Sequence, residues 1–364
     1  MFKTLSASLF AVFLFAGGIY AQNAASANEK KALTAKAYNL FQKGRFDDAI
    51  DTAEKVVKLE KNSNQTDTSF YVNALLNLAR IRRENYSVLK NKFRDRNLTV
   101  TERIELSKKL TENGEEAEKL FREAARLNES GGRGQTAQTA DIKSDLAWLI
   151  YNYFQVEGKP SIDKSRSRID EAEGLFLESL ALNEQIRGRD ADETLFVALG
   201  AGNFYFHYHN YEKALPFYER YIETAGRKHG KNYAGLVNAL RPRAKILRAT
   251  FQEPESAADL IKIEEITGQK ENLPKDDLIL HLRSKDSVAY GAKNAAFIKR
   301  DAERVPVKVT ADENGKIIEA VAETKNEKLR EKAEREILSW TVRPFSYNGT
   351  PRKIRGYLIY TETR

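Results

Sequence analysis

Two stretches far apart in this chain share one shape, and that shape constrains the fold more than any other feature. Phe41-Gln42-Lys43-Gly44-Arg45-Phe46-Asp47-Asp48-Ala49-Ile50 reads as a helix end, a tight polar turn, an aromatic, then acidic residues and Ala opening a second helix. His207-Tyr208-His209-Asn210-Tyr211-Glu212-Lys213-Ala214-Leu215 repeats it. The aromatic and the Ala lie three apart, so they fall on one helical face. Ala suits that face because a larger side chain would hold the two helices apart. The second-helix signal returns as Glu116-Ala117-Glu118-Lys119-Leu120-Phe121 with Ala124, and as Glu171-Ala172-Glu173-Gly174-Leu175-Phe176 with Ser179. A weaker copy is Glu255-Ser256-Ala257-Ala258-Asp259-Leu260.

First helices are marked by the small residues that would pack against those positions: Ala37, Ala79, Ala147, Gly202 and Ala244. Ala37 to Ala79, Gly202 to Ala244 and Ala172 to Ala214 are each 42 residues. A fixed period of this size is the mark of a helical repeat array. Within a pair the offset is 12 for Ala37/Ala49 and Gly202/Ala214 and 13 for Ala244/Ala257, but 38 for Ala79/Ala117 and 25 for Ala147/Ala172. The spacing predicts five helix pairs, with extra residues between the helices of pairs two and three. In pair two the extra stretch, Tyr86 to Thr111, holds Thr99 and Glu102 at capping-box spacing, so both helices should simply be longer. In pair three Gly158-Lys159-Pro160-Ser161 is a loop signal, as is Gly131-Gly132-Arg133-Gly134 ahead of that pair.

This pattern resembles tetratricopeptide repeats, and its spacing is similar to the longer repeats of kinesin light chains; Leu180-Ala181-Leu182-Asn183-Glu184, Gly188-Arg189-Asp190 and Thr194 are close to that variety. The usual Pro after the second helix is missing. The resemblance implies an α-α superhelical solenoid over residues 29–270, with a groove lined by first-helix side chains. Carried over residue by residue, the groove positions are Tyr38, Phe41, Arg80, Arg83, Trp148, Tyr151, Asn203, Phe206 and His207. An aromatic and basic groove suits an extended or helical peptide bearing acidic side chains or a C-terminal carboxylate.

Beyond Leu273-Pro274-Lys275-Asp276 the pattern turns toward strands, and residues 271–300 read as a linker. Val305, Val307 and Val309 alternate with Pro306, Lys308 and Thr310, which places one apolar face at period two. Asp312-Glu313-Asn314-Gly315 is a turn, and Lys316 to Glu323 the partner strand. Leu329, Ala333, Ile337 and Trp340 form the stripe of a helix over 326–340, and Asn348-Gly349 leads into a last strand, Lys353 to Thr361. The expectation is a small α+β domain over 301–364, three strands and one helix. It resembles the C-terminal domain of TonB-type proteins through Val305-Pro306-Val307-Lys308-Val309, Asn314-Gly315-Lys316-Ile317, Ser339-Trp340-Thr341-Val342-Arg343-Pro344 and Asn348-Gly349-Thr350-Pro351. The usual Tyr-Pro before the first strand is absent, and Val342 stands where an aromatic is common. The resemblance implies pairing of a strand edge with an extended segment of an outer-membrane receptor. The last strand is the natural edge, with Lys353, Ile354, Arg355, Tyr357 and Ile359 as its contact residues. The alternative is that the domain only docks on the last repeat and caps it.

The N-terminus has the order of a secretory signal peptide over residues 1–21: Lys3, an uncharged stretch from Leu5 to Tyr20, a Gly17-Gly18 break and small Ala21 before Gln22. Its apolar run is short against the roughly 20 residues that span a bilayer. Cleavage would give a periplasmic protein; retention would give an inner-membrane anchor, and membrane contact only in that case. With no cysteine, disulfides and the usual lipid-accepting thiol are both excluded. A net charge of +8 over 364 residues is mild, and export removes nucleic acid as a partner. Four histidines and no phosphate loop or nucleophile elbow point away from catalysis, metals and cofactors. His207 and His209, two apart on a predicted helix, point away from each other. Together these features predict an exported adaptor for proteins or peptides of the cell envelope, an outer-membrane receptor among them. The alternative is a membrane-anchored energy transducer of the TonB type, and a third reading is a binder of anionic envelope surfaces through basic charge.

Overall fold

The computed structural model describes residues 24–62, 68–95, 97–153, 162–271, 278–280 and 304–361. The proposed signal segment and the Gly158–Ser161 loop lie outside them, as do Leu273–Asp276 and most of the linker. The chain is mostly helical, with helices in a repeat-like arrangement followed by a small antiparallel sheet. It divides into two compact units, Met1–Leu120 and Phe121–Arg364.

The first unit contains α1 (Ala24–Gln42), α2 (Phe46–Lys61), α3 (Ser69–Phe93) and the first part of α4 (Val100–Ser130). Helix α1 packs on α2, and α2 on α3. The small residues that predicted close approach, Ala37, Ala49, Ala79 and Ala117, are all buried. The extra residues of pair two lengthen both helices, as expected. At the start of α4 the Glu102 amide donates to Thr99 Oγ1 at 3.2 Å and the Thr99 amide to Glu102 Oε2 at 2.8 Å, a complete capping box. Those hydrogen bonds also hold the Glu102 carboxyl below its ordinary range. Charges taken inside are paired: Lys30 meets Glu60 at 2.9 Å, and Arg82 meets Glu54 at 2.5 Å.

The second unit continues with α5 (Ala137–Tyr153), α6 (Ile162–Arg187), α7 (Asp192–His207), α8 (Tyr211–His229), a 3-10 turn (Ala234–Leu236), α9 (Val237–Ala249) and α10 (Glu253–Thr267). The pairs α5/α6, α7/α8 and α9/α10 pack within themselves and each on the next. Gly131–Gly134 forms the expected loop, held by Asn128: its Nδ2 donates to Thr139 Oγ1 at 2.7 Å and its Oδ1 accepts from Arg133 Nε at 2.8 Å. At Gly202 a Cβ would come within 3.1 Å of Phe217 and Tyr218, so a small residue is required where α7 crosses α8. Ser179 Oγ donates to the Ala140 carbonyl at 2.7 Å, and Ser256 Oγ to the Ala244 carbonyl at 2.8 Å. The second of these corrects the sequence reading. Ala257 is exposed, and buried Ser256 is the small residue that meets Ala244, which restores the 12-residue offset.

Among the described residues four interhelix turns share one geometry, including the one after α4, where Gly132 N–H donates to the Glu129 carbonyl, Arg133 N–H to that of Asn128, and Gly132 has a φ of 74°. In the first, Gly44 N–H donates to the Phe41 carbonyl and Arg45 N–H to that of Leu40. The same pair of bonds links His209 to Phe206 and Asn210 to Tyr205, and again Phe251 to Arg248 and Gln252 to Leu247. The residue at the bend has positive φ in each: Gly44 at 72°, His209 at 57° and Phe251 at 60°. Glycine adopts this without penalty; a bulky side chain is strained there. His209 therefore sits past the end of α7, not on a helix with His207 as the sequence suggested.

The C-terminal part comprises β1 (Arg304–Ala311), β2 (Ile317–Ala322), α11 (Glu327–Ile337), β3 (Phe345–Tyr347), β4 (Thr350–Arg352) and β5 (Ile354–Thr361). The three-stranded sheet has the order β2-β1-β5, both pairings antiparallel, with a bulge at Thr310/Ala311. Val305, Val307, Val309 and Ala311 bury one face beneath Leu329, Ala333 and Ile337 of α11. Asn326 caps α11 by accepting from the Leu329 amide. Trp340 lies beyond the helix, which ends at Ile337. Asn348-Gly349 closes a separate hairpin, β3-β4, ahead of the last strand. Gly315 combines a φ of 82° with contact against the Val342 carbonyl, which would lie 2.2 Å from an added Cβ. Finally, Leu278–Leu280, inside the stretch read as linker, lies along β5 with Ile279 bridged in parallel to Tyr357.

Candidate functional site

The groove positions divide by what they touch. In the first unit Phe41 packs edge-on against Phe46 across the α1–α2 turn, with centroids 5.8 Å apart. Tyr38, Arg80 and Arg83 are half-buried on α1 and α3. The sequence did not single out Arg82, which is buried and spends its charge on Glu54. A spacing argument cannot separate Arg82 from Arg83, because neighbours on a helix differ only in which face meets the next helix.

In the second unit Trp148, Tyr151 and His207 come together. Trp148 and Tyr151 stand 5.7 Å apart on α5, and Tyr151 meets His207 of α7 at 5.3 Å, nearly perpendicular. Edge-to-face rings at such distances attract beyond their buried area. Behind this strip Phe176 lies 5.7 Å from Trp148 and 5.8 Å from Phe204. Gly200 lets the indole lie against α7, since a Cβ there would meet both Trp148 and Phe176 at 3.0 Å. His207 is exposed, and Trp148 and Tyr151 are half-buried, so the strip has a solvent side. Tyr208 joins its edge, 6.4 Å from Tyr151, and burial pushes its hydroxyl above the usual range.

Asn203 and Phe206 face elsewhere. Asn203 Oδ1 accepts from the Tyr218 hydroxyl at 3.0 Å, and Phe206 packs on Tyr211 and Tyr218 of α8. Burial, with Tyr151 adding, raises Tyr218 well above the ordinary tyrosine value, so its hydroxyl stays a donor. Nearby, burial works to raise the Glu173 carboxyl, but hydrogen bonds from Lys213 and Tyr205 outweigh it and leave it lowered.

The last-strand positions are engaged by the chain itself. Arg355 donates to the Arg248 carbonyl at 3.0 Å and to Glu253 at 2.7 Å, and its guanidinium lies 4.6 Å from the Phe251 ring centre. It therefore clamps the α9–α10 turn and does not project along an empty edge. Ile354 is buried, Tyr357 and Ile359 are half-buried, and Lys353 is exposed. The Tyr357 hydroxyl donates to Glu323 at 3.0 Å, with Lys308 over its ring. The β3-β4 hairpin adds two ties to α8: Ser346 to Glu212, and Tyr347 to Glu219 at 2.5 Å. The Glu219 carboxylate, with burial, pushes the Tyr347 hydroxyl up to about 12.

The centre of the β5 edge is filled. Leu280 N–H donates to the Tyr357 carbonyl at 2.9 Å, and Tyr357 N–H to the Leu278 carbonyl at 2.6 Å. Leu278 and Leu280 are buried while Ile279 is exposed, a strand alternation in three residues. This segment was missed. Two signals could have found it: an apolar tripeptide inside a charged stretch, and Gly356 inside the last strand, where a lone glycine marks close backbone approach. Among the described residues no group of three or more His, Asp or Glu is placed to hold a metal ion, and no helix is long and apolar enough to cross a membrane.

No family model matches the chain, and no curated protein matches it. Among solved structures it is similar to BtubC (BKLC) from P. vanneervenii, at 14% identity and a TM-score of 0.48 over 72% of this chain and 98% of that one. It is also similar to a putative kinesin light chain of Podosopora anserina with nearly identical TPR-like repeats, at 13% identity and a TM-score of 0.47 over 67% and 97%.

Proposed function

We propose that the protein is a non-catalytic adaptor, exported to the periplasm, that holds a protein segment on its helical repeats and brings it to a partner of the C-terminal sheet. The observation that carries this reading is the Trp148–Tyr151–His207 strip, aromatic side chains of two successive first helices meeting with one side toward solvent. Aromatic groups give much contact area for little lost side-chain freedom, which suits binding of an extended or helical segment. The TonB-type resemblance supports an envelope partner for the sheet, and the signal-like N-terminus supports export.

Selection of peptides from a random library on the purified protein tests the reading. The expected ligands bind the intact protein in about 0.5 M salt, where screening reaches within about 4 Å. They lose at least about tenfold in affinity with Tyr151→Ala or Trp148→Ala, some 1.4 kcal/mol. Ligands indifferent to both substitutions, or lost in salt alone, would replace this reading with binding through basic charge. Recovery of mature protein starting at Gln22 in the soluble fraction supports export; an intact Met1 in the inner membrane points to the anchored transducer.

A further inference from the structure

We propose that Leu278-Ile279-Leu280 is a built-in latch that closes the β5 edge, so that a strand partner reaches the C-terminal sheet only by displacing it. The inference rests on the reading that this sheet engages a partner by strand pairing, and adds what controls that event.

The latch has three parts. Its backbone takes the central hydrogen-bonding places of the edge, both polar groups of Tyr357 being bonded to Leu278 and Leu280. An incoming strand would need those same groups, because edge pairing works through main-chain N–H and C=O. Its side chains are anchored: Leu278 and Leu280 are 3% and 5% exposed, as deep as the sheet's own core residues. The third part is a bolt from the helices. The Tyr211 hydroxyl at the start of α8 donates to the Ile279 carbonyl at 2.7 Å, the face of the latch turned away from β5. His209 Nδ1 lies 2.9 Å from the same hydroxyl, so with the Tyr211 proton given to Ile279 the imidazole is the donor to Tyr211.

Gly356 makes room for the latch. A Cβ there would stand 2.3 Å from the Leu278 carbonyl oxygen and 2.9 Å from the Leu280 side chain. Its φ is not in the left-handed region, so a side chain at 356 acts through space and not through backbone strain. The arrangement explains why an isolated glycine interrupts a strand otherwise rich in branched and aromatic residues. It also ties closure of the edge to docking of the sheet on the helices, since one tripeptide serves both contacts.

The chain's own latch, supplied as a synthetic peptide of residues 276–284, is the probe. Titrated onto the full chain it should bind weakly, because the site is taken. Onto the double variant Leu278→Ser/Leu280→Ser it should bind about tenfold tighter or more. Adding Gly356→Val to that variant should remove binding while leaving the helical circular dichroism unchanged. Tyr211→Phe, which deletes the hydroxyl that holds the Ile279 carbonyl, should by itself speed amide exchange at Tyr357 roughly two- to tenfold, the worth of one hydrogen bond. Equal peptide affinity for the intact chain and the double variant would overturn the latch, as would binding that survives Gly356→Val. If the double variant does not fold, unchanged Tyr357 exchange in Tyr211→Phe overturns it alone. Because the probe comes from this chain, the outcome does not depend on whether an envelope partner exists; latch release with no partner segment bound would count against the adaptor reading only.

Discussion

The helical repeats and the C-terminal sheet settle their contacts in different ways. In the helices every backbone bond is local, so side-chain size decides what packs: Gly202 against Tyr218, Ser179 and Ser256 reaching carbonyls of the neighbouring helix. In the sheet the backbone is satisfied by distant segments, and the open or closed state of an edge depends on a tripeptide far upstream of β5. A helix face can thus be left for a partner at no cost in hydrogen bonds, whereas an empty strand edge is a hazard that proteins cover. Here the aromatic strip on α5 and α7 keeps a solvent side, and the β5 edge is covered from within.

The largest effects should come from the helical side. Phe176→Ala empties a fully buried site against Trp148 and Phe204, and should cost about 3–5 kcal/mol in denaturant unfolding. A loss under about 1 kcal/mol would mean that the packing behind the strip is loose. For the sheet, Gly315→Ala combines an unfavourable φ with collision against the Val342 carbonyl, and should cost about 1–3 kcal/mol. An unchanged midpoint would show that the first hairpin adjusts freely.

A smaller loss is expected where the two regions meet. Arg355→Ala removes the hydrogen bonds to Arg248 and Glu253 and the contact with Phe251, about 1 kcal/mol given the half-exposed acid. It should also relieve nothing at Phe251, whose φ of 60° is set by the turn. Stability equal to wild type would place the docking of the sheet elsewhere.

A further effect is a pH dependence. Burial, with repulsion from Arg94, pushes the Lys90 ammonium down to about 8. An unfolded lysine titrates near about 10.4, so between these values the unfolded chain holds the extra proton and stability gained from deprotonation rises with pH. The stability of wild type relative to Lys90→Met should therefore increase from pH 8 to about 10.5. A flat or falling difference in urea midpoints contradicts a buried, desolvated Lys90.

Much of this was legible because local rules were not overruled. The Thr99/Glu102 box starts a helix where its spacing says, and Ala37, Ala49, Ala79, Ala117, Ala147, Ala172, Ala214 and Ala244 are buried as their positions imply. The errors share a cause. Ala257 looked like the packing residue, but Ser256 is also small, and only the actual rotation of α10 distinguishes them. His209 looked helical because its bend adopts positive φ without a glycine. Asn203 and Phe206 lie on α7 as expected, yet face α8, since a first helix has two sides that meet neighbours. The latch was hidden because three residues are too few to show a period, and its partner strand lies beyond any window of local reading.

Amide hydrogen exchange at Tyr357, resolved to that residue, tests the central claim most directly. The account predicts protection in the intact chain comparable to neighbouring core strands, because the Tyr357 amide is bonded to Leu278. That protection should fall to the level of an exposed edge with Leu278→Ser/Leu280→Ser. Rapid exchange at Tyr357 in the intact protein, with β1 still protected, would show an open edge and contradict the account.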